Sequence, residues 1–349
     1  MTERETDCSE DCFKQRLKSA GEPRRVARRL SCFLRRPVIV YLYISVRAAE
    51  EREKPMKSDI YPYPLIRVTG GPGGEAVLIT GSEKTALHDC GMACFSEELT
   101  ENIKKVLGQR PLDYVILSHT HYDHMGALPY VIREWPDVTV CGNAKAAEVF
   151  GRPGALAMIE SMGRTAAENY GRDPEKVTVE GLRIDRVVEN ADIIDLGEEK
   201  IAVFETGGHT DCSVSYFLKP EGILLASEST GIIGEGEGKV RTSILKSFDE
   251  SLESSCLMKL LPYRHILIPH FGILPSEYNG RYFDMYAEAA EKEKTFIETL
   301  INKGLSACEI FEEHKKTYWT KEREKNQPYR AYKMNTEIII KRMMKEAGK

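Results

Sequence analysis

Short apolar runs alternate with longer charged, periodic stretches from Ile60 onward. Apolar runs of strand length, bounded by turn residues, are typical of β-strands. In the first half of the chain they predict strands over Leu65–Val68, Ala76–Thr80, Thr85–Asp89, Tyr114–Ser118 and Val138–Cys141. In the second half they predict strands over Arg183–Val188, Asp192–Leu196, Lys200–Glu205, Val214–Leu218, Ile223–Ala226 and His265–Ile268.

Helical periodicity fills the spaces between these strands. The first predicted helix is Ser96–Leu107, with Ser96 as its N-cap and Gly108 as its stop. Further helices are predicted over residues 124–134, 143–151, 155–170 and 249–261. Strands, a helix, more strands and a further helix in this order predict an α/β fold, in which two sheets pack together with helices outside.

The chain after Ser276 has only helical character. Amphipathic helices are predicted over Tyr282–Lys303, Ser306–Lys315 and Asn335–Lys345. We therefore expect a domain over residues 56–275 followed by C-terminal helices over 276–349. Three roles for these helices stay open: a cover packed on the core, a lid over the substrate, or the contact surface of a homodimer.

Composition and charge narrow the class of partner. Of the 349 residues, 42% are hydrophobic and 30% are charged, as in a globular protein. Residues 1–55 carry 13 lysines and arginines against 9 acidic residues, whereas residues 56–349 carry 36 against 45. An acidic body is poorly suited to nucleic acid, so no nucleic-acid partner is expected. The nine cysteines are scattered and form no CxxC pair, which favours free thiols and a cytoplasmic location.

The first 55 residues are expected to form a poorly ordered basic extension. Met56 opens a sequence that resembles a domain start, so a start codon assigned too far upstream is an alternative explanation of this extension. The arginine-rich stretch Arg24–Arg36 could instead contact acidic lipid or a partner. The apolar run Val38–Val46 is shorter than the roughly 18–20 residues that a membrane span requires, so no span is expected.

Three histidines and an aspartate lie within six positions, directly after the fourth predicted strand. Neutral imidazole and ionised carboxylate are ligands that zinc and similar divalent ions prefer. Residues at i and i+2 of an extended segment point the same way, so His119 and His121 can reach one ion together. A turn after Tyr122 can direct Asp123 and His124 toward a second ion. The spacing therefore predicts a metal site.

Two coordination shells need further ligands, and the sequence offers three. His209 follows a predicted strand and two glycines, which permit a sharp turn of the backbone. Glu228 and His270 also follow predicted strands directly. Each residue alone is a weak signal, but their common placement after strands makes them joint candidates for the same site.

With these residues in place, the chain resembles the metallo-β-lactamase superfamily of binuclear metal hydrolases over roughly residues 60–275. The resemblance rests on the motif from His119 to His124, on the Thr206–Thr210 segment, on Glu228 and on His270. It implies a four-layer αββα sandwich, with the metals at one edge between the two sheets. The donor set suits two divalent ions, with zinc favoured and iron or manganese also suited.

The resemblance implies a role for each ligand. The implied ligands of the first ion are His119, His121 and His209. Those of the second ion are Asp123, His124 and His270, and Glu228 is implied to bridge the two ions. The segment from His88 to Gly91 resembles the strand of the family that ends in Asp-x-Gly, whose acid usually supports a ligand, so Asp89 is expected in that place.

Two positions depart from the family pattern. Glu228 stands where aspartate is usual, and its extra methylene moves the carboxylate by roughly 1.3–1.5 Å. Bridging of both ions and binding of one ion alone both stay open for Glu228. Gly207 stands where proline is common, which we expect to affect only the stiffness of the loop.

The implied chemistry is hydrolysis. Two divalent ions about 3.5–4 Å apart lower the pKa of a bridging water to near neutrality, so that a metal-bridging hydroxide attacks the substrate. The expected substrate is a small-molecule ester, lactone, thioester or phosphodiester. Asp123 is the candidate catalytic residue, as the acceptor of the proton from the attacking water.

Two other functions stay open on the same residues. One is a di-iron redox enzyme, because the cores of flavodiiron reductases and sulfur dioxygenases resemble this fold. Flavodiiron proteins carry a glutamate where this chain has His121, which argues against that alternative. The other is a ligand-binding regulator with a vestigial site, against which the complete ligand set argues. A tRNA-processing nuclease and a dedicated β-lactam hydrolase are disfavoured.

Overall fold

The computed structural model describes residues 60–234 and 239–348. The expectations for residues 1–55 and for Met56 as an alternative start lie outside the described residues. The described part is an α/β sandwich of two six-stranded sheets with helices on the outside, in four αββα layers.

The first sheet has the strand order β1-β2-β3-β4-β5-β6. Its strands are β1 Leu65–Arg67, β2 Val77–Thr80, β3 Thr85–His88, β4 Tyr114–Ile116, β5 Thr139–Gly142 and β6 Arg186–Val187. The first three strands pair antiparallel, and β3 through β6 pair parallel. The parallel pairing brings the carboxyl ends of β3 and β4 to the same edge, where polar side chains follow them.

The second sheet has the order β14-β13-β10-β9-β8-β7. Its strands are β7 Ile193–Asp195, β8 Lys200–Glu205, β9 Val214–Lys219, β10 Ile223–Leu225, β13 His265–Ile268 and β14 Gly272–Ile273. The pair β10 and β13 is parallel, and the other neighbours are antiparallel. A separate two-stranded hairpin joins β11 Ile232–Ile233 to β12 Val240–Arg241.

Alternation along the strands divides the core into layers. In β2, Val77 and Ile79 face the cluster between the two sheets, where they meet Val203 and Tyr216 of the second sheet. Leu78 points to the other face, toward the helices of the first half. This period of two is the expected consequence of strand geometry and places one buried layer on each side of the first sheet.

The described part of the chain contains eleven α-helices. The helices of the first half are α1 Ser96–Leu107, α2 Tyr122–Met125, α3 Leu128–Glu134, α4 Ala144–Phe150 and α5 Pro153–Asn169. Those of the second half are α6 Phe248–Lys259, α7 Ser276–Asn279, α8 Tyr282–Asn302, α9 Ala307–Tyr318, α10 Lys321–Asn326 and α11 Tyr329–Glu346. None of the helices in the described ranges is long and apolar enough to cross a membrane.

Most sequence predictions agree closely with these bounds, and four differ. The last helix begins at Tyr329, six residues before its predicted start at Asn335. Ser96 is not an N-cap, because the 3-10 turn Ala93–Phe95 runs directly into α1 and Phe95 takes the cap position. The helix predicted over 124–134 is divided into α2 and α3. The strand Arg186–Val187 extends the first sheet, although it lies among the second set of strands in the sequence.

Candidate metal centre

The seven side chains predicted as metal ligands converge at the carboxyl ends of strands from both sheets. One group comprises His119, His121 and His209, and the other comprises Asp123, His124, Glu228 and His270. Within each group the ligand atoms lie within 4.8 Å of one another. Each group thus has the donor types and the spacing that a divalent ion requires.

Three imidazoles form the first group. The Nε2 atom of His209 lies 3.0 Å from the Nδ1 atom of His121, and the rings of the three histidines meet nearly edge to face. The Nε2 atom of His119 is buried and has no hydrogen-bond partner within the described residues. A buried nitrogen without a partner costs free energy, and a metal bond would remove that cost.

Glu228 stands between the two groups. Its Oε1 atom lies 2.8 Å from His124 Nε2 and 2.9 Å from His270 Nε2. Its Oε2 atom lies 3.5 Å from His209 Nε2, in the first group. Asp123 is more distant, with Oδ2 at 4.0 Å from His124 Nε2 and 3.7 Å from His270 Nε2. The longer glutamate side chain therefore presents one oxygen atom to each group.

Four of the five imidazoles are held at the ring nitrogen that faces away from the centre. The pairs are His119 Nδ1 with Ser118 Oγ at 3.0 Å, His124 Nδ1 with Asp89 Oδ2 at 2.9 Å, His270 Nδ1 with Gly73 O at 3.1 Å, and His209 Nδ1 with the Ser243 carbonyl oxygen. Because each partner is an oxygen that can accept, this network assigns an N–H to the far nitrogen of each ring and turns the near nitrogen toward the centre. Oxygen partners of this kind orient histidines that bind metals.

The electrostatics of the centre favour neutral imidazoles in the first group. Burial, together with repulsion from His209, lowers the pKa of His121 to about 4. Burial and the neighbouring rings hold the pKa of His119 well below its usual value. Neutral imidazole is the form that binds a metal ion, so the first group requires little proton release.

In the second group, the electrostatics favour the charged forms of Glu228 and His124. Burial opposes ionisation of Glu228, but His209 and His270 outweigh it and hold the pKa of Glu228 well below its usual value. Burial likewise opposes charge on His124, yet hydrogen bonds to Asp89 and Glu228 raise the pKa of His124 well above its usual value. A cation bound here would take the place of a proton on His124, because a ligand must be deprotonated.

Two of these residues adopt a backbone conformation that L-amino acids rarely use. His270 has a φ of 62° and Asp89 has a φ of 54°. Left-handed conformations of residues other than glycine store strain and occur often at functional sites. His270 turns back in this way between β13 and β14, which directs its ring toward Glu228.

The sequence did not indicate Gly73 or Ser243 as part of the centre. Gly73 contributes its carbonyl oxygen to His270, and Ser243 contributes both its carbonyl oxygen to His209 and its hydroxyl to Glu228 Oε2 at 2.6 Å. Backbone carbonyls carry no residue code. Only the glycine-rich run Gly70–Gly74 offered a signal that the backbone approaches another group closely at Gly73.

The loop that carries His209 depends on one of its two glycines more than on the other. A Cβ atom at Gly208, which has a φ of 124°, would lie 2.5 Å from the Cα atom of Ser251. A Cβ atom at Gly207 would meet only side-chain atoms of Glu250, of which the carboxylate oxygen is the nearest. Close packing against α6 therefore requires glycine at 208, whereas the expected effect of Gly207 on loop stiffness stays a prediction.

Tyr122, between the motif ligands, has a packing role. Its ring packs against the cluster of Met92, Phe95 and Ala166, and burial raises the pKa of its hydroxyl. This packing fixes the start of α2, which carries Asp123 and His124 into the centre.

One comparison, with a family model, covers the region that carries all seven side chains. The model of the metallo-beta-lactamase superfamily matches residues 69–270. A hydroxyacylglutathione hydrolase from Buchnera aphidicola subsp. Schizaphis graminum is 26% identical over 181 residues, which are 51% of this chain and 56% of that protein. The chain thus matches little more than half the length of this relative.

Shorter matches link the chain to a second class of protein. A nitric oxide reductase from Moorella thermoacetica is 38% identical over 64 residues, which are 18% of this chain and 16% of that protein. Among solved structures, an archaeal metallo-beta-lactamase superfamily protein from Sulfolobus tokodaii superposes with a TM-score of 0.50 at 18% identity, over 64% of this chain and 84% of the other. At this low identity, the similarity to the Sulfolobus tokodaii structure shows a shared fold only.

Proposed function

Because this chain belongs to the metallo-beta-lactamase superfamily, we propose that it is a dinuclear metal-dependent hydrolase acting on a small molecule. The proposed substrate carries an ester, lactone, thioester or phosphodiester bond. The thioester is one member of this set that the name of the hydroxyacylglutathione hydrolase relative suggests. The low identity and partial coverage of that relative leave the choice among these bonds to experiment.

One observation carries the proposal. Four imidazoles are anchored at their far nitrogens, and their near nitrogens converge with two carboxylates on a buried centre. Lone pairs and carboxylate oxygens that face one another repel unless a cation or a proton lies between them. We assign the first ion to His119, His121 and His209. We assign the second ion to Asp123, His124 and His270.

Glu228 is proposed to serve both ions with one oxygen atom each. Its Oε1 faces His124 and His270, and its Oε2 faces His209. The hydroxyl of Ser243 donates to Oε2 and so holds the carboxylate in this orientation. With its additional methylene relative to aspartate, Glu228 would reach both ion positions from this orientation.

Divalent ions held by these residues would lower the pKa of a bound water to about 7 and would polarise the carbonyl or phosphoryl oxygen of the substrate. The protein side chains would hold the ions in place and accept the proton. Asp123 is the more exposed of the two carboxylates at the centre, since its side chain is 19% exposed against 6% for Glu228. We propose that the carboxylate of Asp123 accepts the proton of the attacking water, because one of its oxygens can bind an ion while the other accepts the proton.

A di-iron redox enzyme is the second candidate. The observation in its favour is the group of short matches that includes the nitric oxide reductase relative and a flavo-diiron protein from Clostridium acetobutylicum. A mixed nitrogen and oxygen donor set binds iron as well as zinc, so the ligands alone do not distinguish a hydrolase from a di-iron redox enzyme.

Metal analysis of the purified protein, coupled to a substrate panel, distinguishes the two candidates. We expect about two zinc ions per chain and turnover of at least one ester, lactone, thioester or phosphodiester. His121→Ala should lower metal content and abolish turnover, while His265→Ala, at the far end of β13, serves as a matched control and should retain both. Bound redox-active iron with no hydrolysis in the panel would reject the hydrolase and support the second candidate.

A further inference from the structure

Two neighbouring side chains after β12 point in opposite directions. Ser243 faces the metal centre, where its hydroxyl donates to Glu228 Oε2 and its carbonyl oxygen accepts from His209 Nδ1. Thr242 faces away, and its hydroxyl donates to a carboxylate oxygen of Glu293 in α8. Successive residues of an extended segment alternate in this way, so one short segment contacts both a ligand pair and a C-terminal helix.

Glu293 belongs to a buried polar chain that crosses three C-terminal helices. The Oε1 atom of Glu293 lies 2.9 Å from His314 Nε2 in α9. The Nδ1 atom of His314 in turn lies 2.8 Å from the hydroxyl of Tyr332 in α11. Thr242, Glu293, His314 and Tyr332 are all less than 9% exposed. The chain of contacts therefore runs from α11 to the segment that supports His209 and Glu228.

Burying the Glu293 carboxylate between helices carries a desolvation cost. An apolar side chain of similar volume would often pack there with equal or greater stability. Both oxygens of Glu293 have partners, and although burial opposes its charge, the contacts with His314 and Thr242 keep the pKa of Glu293 below its usual value. The charge is thus retained and aimed at Thr242, which suggests a role beyond packing.

A second contact from the same helix reaches the same ligands. Tyr286 in α8 is hydrogen-bonded to the hydroxyl of Ser251, which donates to the backbone oxygen of Ser229. The hydroxyl of Ser229 accepts from the backbone N–H of His209 at 3.0 Å. Helix α8 therefore contacts the supports of His209 by two independent routes, through Glu293 and through Tyr286.

We propose that Glu293 is a positioning residue of the metal centre, which acts through Thr242 and Ser243 to fix the orientation of His209 and Glu228. The C-terminal helices then set metal affinity and coordination geometry from outside the region that supplies the ligands. This inference rests on the proposed function, because it requires that the centre bind metal ions.

Zinc affinity and the absorption spectrum of the cobalt-substituted protein test this role. Thr242→Val removes the hydroxyl and keeps the shape, so we expect zinc affinity to fall by about 10-fold or more and the cobalt bands to shift. Thr242→Ser keeps the hydroxyl and should restore both. Glu293→Gln keeps the side-chain shape without its charge and should give a smaller loss of affinity. If Thr242→Val does not fold, Glu293→Gln alone tests the proposed role.

Ile340→Val is the matched control, because it removes one methylene from a fully buried position in α11 that lies outside the polar chain. It should lower the melting temperature of the metal-free protein while leaving zinc affinity and the cobalt spectrum unchanged. Wild-type affinity and spectrum in both Thr242→Val and Glu293→Gln would overturn this inference alone. Failure of the wild-type protein to bind zinc or cobalt would instead overturn the proposed function.

Discussion

The Oδ2 atom of Asp89 lies 2.9 Å from Nδ1 of His124, on the side of the ring opposite to Glu228. Asp89 follows β3 and His124 lies in α2, so the contact joins two neighbouring parallel strands through the segments that leave them. The Asp89 carboxylate also accepts from the backbone N–H of Ser118 at 2.8 Å and from its hydroxyl at 2.6 Å. Three donors therefore converge on one buried carboxylate. It orients His124 directly, and it orients His119 through the hydroxyl of Ser118.

Asp89→Asn should weaken zinc binding by about 10- to 100-fold, because an amide can accept at only one of its two positions and turns a donor toward the other. Asparagine tolerates positive φ better than most residues, so the backbone at φ 54° should be kept. Competition with a chromogenic chelator measures the affinity. Asp195→Asn, at an exposed carboxylate, is the matched control, and equal affinity of the two variants would contradict this role of Asp89.

Glu228→Asp should lower the metal content to about one ion per chain. The shorter side chain withdraws the carboxylate by roughly 1.5 Å, which places one of its oxygens out of reach of its group. Glu228→Gln, which keeps the length and removes the charge, separates the effect of reach from that of charge. Elemental analysis after dialysis gives the content. Two retained ions in Glu228→Asp would show that the extra methylene is not required.

The sequence could predict that the candidate ligands lie together because they follow the ends of strands within a few residues. A strand end fixes where the backbone goes next, so His209, Glu228 and His270 could be assigned to one edge before any contact was known. The expected place of Asp89 came instead from the resemblance of its segment to a strand of the family. In these cases the chemistry lies in the side-chain type, which the sequence records.

The supports of the ligands could not be predicted in this way. Ser243 and Gly73 act through backbone carbonyl oxygens, which every residue possesses, and only tertiary contacts select the residue that is used. Glu293 lies 65 positions beyond Glu228 and meets the centre through Thr242, so no local pattern connects them. Likewise, the parallel pairing of Arg186–Val187 with the first sheet depends on a long crossover through α4 and α5, which short apolar runs do not encode.

Gly74→Ala should disturb the second group of ligands directly. A Cβ atom at Gly74 would lie 2.7 Å from the Asp123 carbonyl oxygen and 2.9 Å from His124 Nδ1, and neither atom can move without moving a ligand. We expect a loss of about 1–3 kcal/mol in the free energy of unfolding, together with weaker zinc binding. Gly154→Ala in α5, where nothing lies within 4 Å, should instead stabilise by about 0.4–1 kcal/mol. Chemical denaturation of both variants gives the comparison, and a neutral Gly74→Ala would contradict the close packing.

His88 presents a buried imidazole outside the metal centre. It is 4% exposed, and neither of its ring nitrogens has a hydrogen-bond partner within the described residues. Its ring meets Tyr216 edge to face across the space between the two sheets. Burial lowers the pKa of His88 below its usual value of 6.5, with Asp89 opposing this shift. The folded protein therefore holds His88 neutral at pH values where the unfolded chain would bind a proton.

His88→Leu should raise the free energy of unfolding, and the gain should grow as the pH falls. At pH 7.5 the substitution removes two unpaired polar atoms from the core, which we expect to stabilise by about 1 kcal/mol or more. Below pH 6.5 the unfolded wild-type chain binds a proton at this position that the folded state does not, so acidification destabilises the wild type and spares His88→Leu. Urea unfolding of both proteins in the metal-free form, at pH 7.5 and pH 5.5, measures the difference, with His265→Leu on β13 as a control at a partly exposed histidine. A gain that shrinks at pH 5.5 would mean that His88 is protonated in the folded state, because only a histidine with a raised folded pKa contributes stability on the acidic side.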